Sequence, residues 1–317
     1  MNLFIWLGIF VVSLYVLVKS ADKFTEFAEK IGLKLGMSPF VVGLTIIAIG
    51  TSLPELISSI MAVLSGSSDM VIGNVLGSNI ANICLVLGIG AILIKSGKIE
   101  HNLRSIDLPF FIISIFLLGI FMLDGKITIL EGVFSLVGII IFILYMKSNI
   151  KNTTKKEIAK GVLIQKDGSS LLKLSVGLII SSVFIFFGAK YTIDSAIQLS
   201  SLLNIGKSII SASAIAIGTS LPELSVTISL VKKKNITGAV GNVLGSNIFN
   251  TLGVIGISSL FGTLIVSNFM LIFVLPVTLI ATFMFYIITN DQKISKWQGA
   301  LLLLFYVVFM TKLLTGI

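Results

Sequence analysis

The chain has 317 residues, 56% of them hydrophobic and only 12% charged, with a formal net charge of +9 and a mean hydropathy of +1.09. These values exclude a soluble globular domain and place the chain in the membrane. The positive charge calls for no nucleic acid, because anionic lipid headgroups are sufficient partners, and a single cysteine, Cys84, excludes an intramolecular disulfide.

Apolar runs of spanning length fall at about 3–20, 39–63, 70–94, 108–123 and 127–146, then at 174–198, 207–231, 238–262, 266–288 and 297–316. The first run lacks a basic start and a small-residue cleavage site, so it is read as a retained helix rather than a signal peptide. The polar segment 147–173 divides the chain into a first five-helix repeat over 1–146 and a second over 174–317. Lysine and arginine fall in alternate connections, and 19 of the 23 basic residues follow or border spans one, three, five, seven and nine. Because cytoplasmic loops carry the basic excess, both termini are expected outside and the 147–173 loop inside. Five spans per half is odd, so the second half enters the membrane inverted relative to the first. The expected fold is an all-α integral membrane protein of ten transmembrane helices in two inverted five-helix repeats, an architecture typical of secondary transporters.

The repeat is visible in the letters themselves. Ala-Ile-Gly-Thr-Ser-Leu-Pro-Glu-Leu occupies 48–56 and again 216–224, and Gly-Asn-Val-Leu-Gly-Ser-Asn-Ile occupies 73–80 and 241–248. The offset is the same for both strings, since 216 − 48 and 241 − 73 each give 168. Of the 14 acidic residues, Glu55 and Glu223 alone fall deep within spans, at equivalent positions. An ionisable group at that depth costs about 2.5–3.5 kcal/mol on insertion scales, which makes it a functional hypothesis by default. Pro54 and Pro222 cannot donate to the carbonyls of Gly50 and Gly218, so broken helices with free oxygens are expected beside the glutamates, a geometry tolerated where backbone lines a cavity.

Spacing adds further oxygens. Thr51 and Glu55 are four residues apart, as are Thr219 and Glu223, Ser78 and Asn82, and Ser246 and Asn250, so each pair shares a helix face. The set offers two carboxylates, hydroxyls and amides with no nitrogen or sulfur donors. Ca²⁺, with its roughly 6–8 flexible oxygen ligands, fits it, as does Na⁺ with fewer, while Mg²⁺ fits less well. His101 has no histidine or cysteine partner for a soft-metal site. Gly73-x-x-x-Gly77 and Gly241-x-x-x-Gly245 are equally well read as helix-packing motifs.

Gly50 to Glu55 with Gly73-Asn74 to Asn82, repeated as Gly218 to Glu223 with Gly241-Asn242 to Asn250, closely resembles the two alpha-repeats of the cation/calcium antiporter superfamily, nearest its prokaryotic sodium/calcium exchangers. That resemblance implies cation ligands at Ala48, Thr51, Ser52, Glu55, Ser78 and Asn82 and at Ala216, Thr219, Ser220, Glu223, Ser246 and Asn250, the alanines through their carbonyls. It also implies that spans one and six form a long tilted pair that slides across the rest. Some family members carry aspartate where this chain has Asn250, so the site here is only doubly negative. The implied activity is Ca²⁺ export driven by Na⁺ entry across the cell membrane, with Ca²⁺/H⁺ exchange on the same glutamates as the alternative, and no cofactor, enzymatic reaction or obligatory protein partner. A cation channel is the reading of another class; channels usually assemble selectivity from rings of subunits, whereas this chain supplies an internal pseudo-twofold site.

Overall fold

The computed structural model describes residues 3–64, 66–94, 96–100, 107–159, 170–202, 218 and 220–315. They form ten helical segments in chain order. The first five are α1 (Leu3–Lys34), α2 (Phe40–Leu64), α3 (Asp69–Ile94), α4 (Asp107–Met122) and α5 (Ile129–Ala159), and the second five are α6 (Leu171–Leu202), α7 (Leu221–Lys232), α8 (Ile236–Ser259), α9 (Met270–Asn290) and α10 (Lys296–Thr315). Eight are long and apolar enough to span a membrane. The run expected at 207–231 is described at Gly218 and from Ser220 onward, and the remainder of its first part lies outside the described residues.

Two helices run further than the apolar pattern alone marks. The first helix continues well past residue 20, because Glu26 accepts from both Lys23 and Lys30 at 2.9 Å and these i,i+3 and i,i+4 pairs carry the helix through its charged half. The polar linker is helical at its start, since α5 runs to Ala159. With 32 residues each, α1 and α6 measure about 48 Å at ~1.5 Å per residue, well over a hydrocarbon layer of about 30 Å, so both must tilt or project. They pack along one another at the margin of the bundle.

The centre belongs to α3 and α8. In α8, 89% of the most apolar stretch is buried, against 11% in α1. α3 packs on α7, α9 and α10, and α8 on α2, α4 and α5, which are the repeat equivalents of those partners. α8 approaches α2 backbone to backbone: a Cβ at Gly241 would lie 2.6 Å from the Phe40 carbonyl oxygen, and one at Gly245 would overlap the carbonyl of Leu44. The small-xxx-small motif of the second repeat is therefore a packing device, one that brings the string following Gly241 directly against the broken span of the other half.

Four short strands tie the halves together. β1 (Ser96–Lys98) pairs antiparallel with β4 (Lys293–Ser295), and β2 (Lys126–Ile127) with β3 (Leu264–Ile265). The register obeys the repeat: shifting Lys126↔Ile265 by 168 gives Ile294↔Gly97, and shifting Ile127↔Leu264 gives Ser295↔Ser96, both of which are observed pairs. β1 and β2 bracket α4, while β3 and β4 bracket α9, so the two ladders sit at opposite ends of the bundle. Exchanging the halves exchanges its ends, which is what an inverted repeat requires.

Replacing Gly245 by leucine forces side-chain volume into the Leu44 carbonyl, where the obstacle is backbone and cannot rotate away. The expected cost is about 1–3 kcal/mol or more, read as a clear fall in the melting midpoint of the detergent-solubilised protein; an unchanged midpoint would refute this close approach of α2 and α8.

Candidate functional site

The proline-induced break appears in both repeats. α2 is interrupted at Ser52, with φ −86° and ψ 6°, and α7 starts after Ser220, with φ −85° and ψ 2° and Pro222 in its first turn. Each break places a glutamate at the third position of the helical piece that follows. Glu55 and Glu223 are both 0% exposed. The facing elements also depart from α geometry at equivalent places: α3 is a π-helix over Ala81–Val86 and α8 over Phe249–Val254. These wide turns carry Asn82 and Asn250, and π segments of this kind are frequent at functional sites.

Ten of the twelve residues expected in the site are described, and all ten are buried: Ala48, Thr51, Ser52, Glu55, Ser78, Asn82, Ser220, Glu223, Ser246 and Asn250. Ala216 and Thr219 lie outside the described residues. Direct contacts join several of the ten across the two halves. Ser52 Oγ donates to Glu223 Oε1 at 3.0 Å. Thr51 Oγ1 lies 3.5 Å from Ser246 Oγ, and both hydroxyls donate to the Ala48 carbonyl, at 3.3 and 3.4 Å. A backbone oxygen of α2 thus meets hydroxyls of α2 and α8, one residue turn from a hydroxyl that bonds the carboxylate of α7. No such cross-half bond reaches Asn82 or Asn250: both atoms of each buried amide lack a hydrogen-bond partner among the described residues, as do Glu223 Oε2 and Ser220 Oγ. Buried polar atoms left in that condition cost free energy unless something else binds them.

The donor chemistry suits a hard cation. Among the described residues no three His, Cys, Asp or Glu side chains cluster, and no lysine or arginine pairs with Glu223. What converges is carboxylate, hydroxyl, amide and carbonyl oxygen, the set that Ca²⁺ and Na⁺ accept.

A protein-family model described as sodium/calcium exchanger protein matches residues 5–147 and 173–315. The chain belongs to this family. Its similarity to individual members runs end to end. The sodium/calcium exchanger MaX1 of Methanosarcina acetivorans is 35% identical, with 96% of this chain and 97% of the relative covered. An uncharacterized membrane protein of Methanocaldococcus jannaschii is also 35% identical, covering 99% of this chain and 100% of its own. Among solved structures, the sodium-calcium exchanger NCX_Mj soaked with 2.5 mM Na⁺ and 0.1 mM Ca²⁺ superposes with a TM-score of 0.82 at 32% identity, over 98% of both chains. Members of the sodium/calcium exchanger family are membrane transporters of the antiport class, and the apolar helices of this chain agree.

Two polar residues around the site were passed over in the sequence reading. Asn74 and Asn242 belong to the duplicated Gly-Asn-Val-Leu-Gly-Ser-Asn-Ile string, and their amides bond the main chain at the glutamates, Asn74 Nδ2 to Glu55 O at 3.2 Å and Asn242 Nδ2 to Glu223 O at 3.4 Å. Their duplication was the available signal. A third acid, Asp107, is also 0% exposed, although it opens α4 beside a polar connection; Tyr145 donates to it at 3.1 Å from α5. Cys84 is a packed, buried thiol.

An amide oxygen can coordinate a cation but holds no charge. If Asn250 lines a cation site formed with the two glutamates, Asn250→Asp adds a negative charge there, and the variant should show a changed pH dependence of Ca²⁺ flux or altered Na⁺ competition, with Asn82→Asp producing a comparable effect. Flux curves in proteoliposomes that coincide for wild type and both variants would remove the two amides from the site.

Proposed function

We propose that this chain is a Na⁺/Ca²⁺ exchanger of the cell membrane, working by alternating access at a site near the bilayer midplane built on Glu55 and Glu223. The observation that carries the reading is the Ser52 to Glu223 hydrogen bond of 3.0 Å, which joins the broken span of one repeat to the carboxylate of the other in a fully buried, all-oxygen surround. The ligand set is Ala48, Thr51, Ser52, Glu55, Ser78 and Asn82 from the first half, and Ala216, Thr219, Ser220, Glu223, Ser246 and Asn250 from the second. MaX1 and NCX_Mj are named as sodium/calcium exchangers and support the choice of ions.

Charge explains why exchange is obligatory. With both glutamates ionised the empty site holds two negative charges, and carrying these through an occluded, low-dielectric state uncompensated is costly. One Ca²⁺ neutralises the pair, as do two Na⁺, and a third Na⁺ leaves a single positive charge. Only loaded forms cross easily. α1 and α6 are the elements that slide: they are longer than the layer they cross and, like α2 and α7, lie outside the two ladders, with both termini outside and the 147–173 loop cytoplasmic.

Glu55→Gln and Glu223→Gln keep shape and remove half the site charge, so each variant should lose Ca²⁺ uptake by at least a hundredfold while remaining folded. The assay is radioactive calcium uptake into proteoliposomes under an imposed Na⁺ gradient, with a proton gradient as the parallel arm. Wild-type uptake in either variant would sink the site; uptake driven by protons and not by Na⁺ would replace the counter-ion.

A further inference from the structure

The turn that carries Glu223 starts without a conventional cap. Ser220 makes no side-chain cap hydrogen bond, and the first N–H groups of a helix have no partners within it; among the described residues the start of the turn that carries Glu223 is closed by the backbone bond from Leu224 to Ser220. It is also held from the side. Asn242 of α8 directs Nδ2 at two atoms one helical turn apart on α7, the carbonyl of Glu223 at 3.4 Å and Thr227 Oγ1 at 3.1 Å. Asn74 of α3 repeats the arrangement on α2, reaching the carbonyl of Glu55 at 3.2 Å and Ser59 Oγ at 3.0 Å, with Ser58 Oγ at 3.2 Å as a further acceptor. Sequence separations are equal in the two copies, 19 residues to the glutamate and 15 to the hydroxyl. The oxygen of the Asn242 amide faces Thr51 Oγ1 at 3.5 Å, so one side chain links the Glu223 turn to the break in α2.

A buried amide in the middle of a membrane bundle is costly unless its bonds are used; Asn242 is 0% and Asn74 9% exposed, and each directs Nδ2 at the carbonyl of a glutamate and at a hydroxyl one turn further on. We infer that Asn242 and Asn74 are positioning residues: each staples the first turn after the break and thereby sets where Glu223 and Glu55 stand when a cation is bound. This rests on the reading of those glutamates as ligands. The competing account is plain helix-to-helix adhesion, which would affect folding yield and leave cation preference alone.

The two accounts separate in proteoliposome flux normalised to folded protein, with Ca²⁺ and Sr²⁺ as alternative cargoes and Glu223→Gln as the control. Asn242→Ala should raise the KM for Ca²⁺ about tenfold, the weight of one or two buried hydrogen bonds, and shift the Ca²⁺/Sr²⁺ preference, because a loosened carboxylate discriminates less between ions of different radius. Thr227→Val, which removes one acceptor and keeps the carbonyl bond, should shift both quantities in the same direction by about threefold, and it decides the matter if the alanine variant does not fold. Unchanged KM and unchanged preference in the folded variants, with Glu223→Gln inactive, would overturn the positioning role and leave the ligand assignment standing. Wild-type flux in Glu223→Gln would overturn both.

Discussion

Two carboxylates kept out of water at the centre of a membrane protein are the constraint around which the rest is arranged. Each must be given oxygen and hydroxyl neighbours that hold it without neutralising it, and an unbroken apolar helix cannot supply them. The breaks at Ser52 and Ser220 interrupt the helix one turn before each glutamate, and the hydroxyl at the first of them reaches the carboxylate of the other half, Glu223. The glycine contacts of α8 with α2 answer that need from the other side, since only near-touching backbones bring Ser246 within reach of Ala48 and Thr51. Packing density and site chemistry here are one requirement, not two.

The repeat is close in register but not identical in detail. Ser52 bonds Glu223, while its equivalent Ser220 has no partner among the described residues. Asn79 donates to Thr251 Oγ1 at 2.8 Å, yet the repeat equivalent of Thr251 is Ile83, and Asn247 accordingly has both amide atoms unpaired among the described residues. The two halves are therefore distinguishable in their bonding although they share their register.

The membrane class, the helix positions and the two acids were legible because they depend on local letters: apolar runs, prolines, and duplicated strings with charge inside them. Other features depend on partners distant in sequence. Asp107 looks like a loop residue until Tyr145, 38 residues on, is placed beside it. Strands of two or three residues carry no periodicity, and their pairing partners come from the opposite half. The full length of α1 was not legible from hydropathy, which marks where a helix leaves lipid, not where it ends; beyond residue 20 Lys23, Glu26 and Lys30 pair along it. Ser52 could be placed on the site by resemblance, but its bond to Glu223 of the other half could not be read from spacing, and the amides of Asn74 and Asn242 went unassigned for the same reason.

The cross-half ladders have a mechanical consequence. Each is a strap, one fastened at either end of the bundle, and each joins a connection of the first half to a connection of the second. A clamshell opening of the two halves at one end would have to tear the strap at that end, so the body made of α3, α4, α5, α8, α9 and α10 behaves as a closed frame. Motion that leaves both straps intact is confined to elements outside them, which are α1 and α2 of the first half and α6 and α7 of the second.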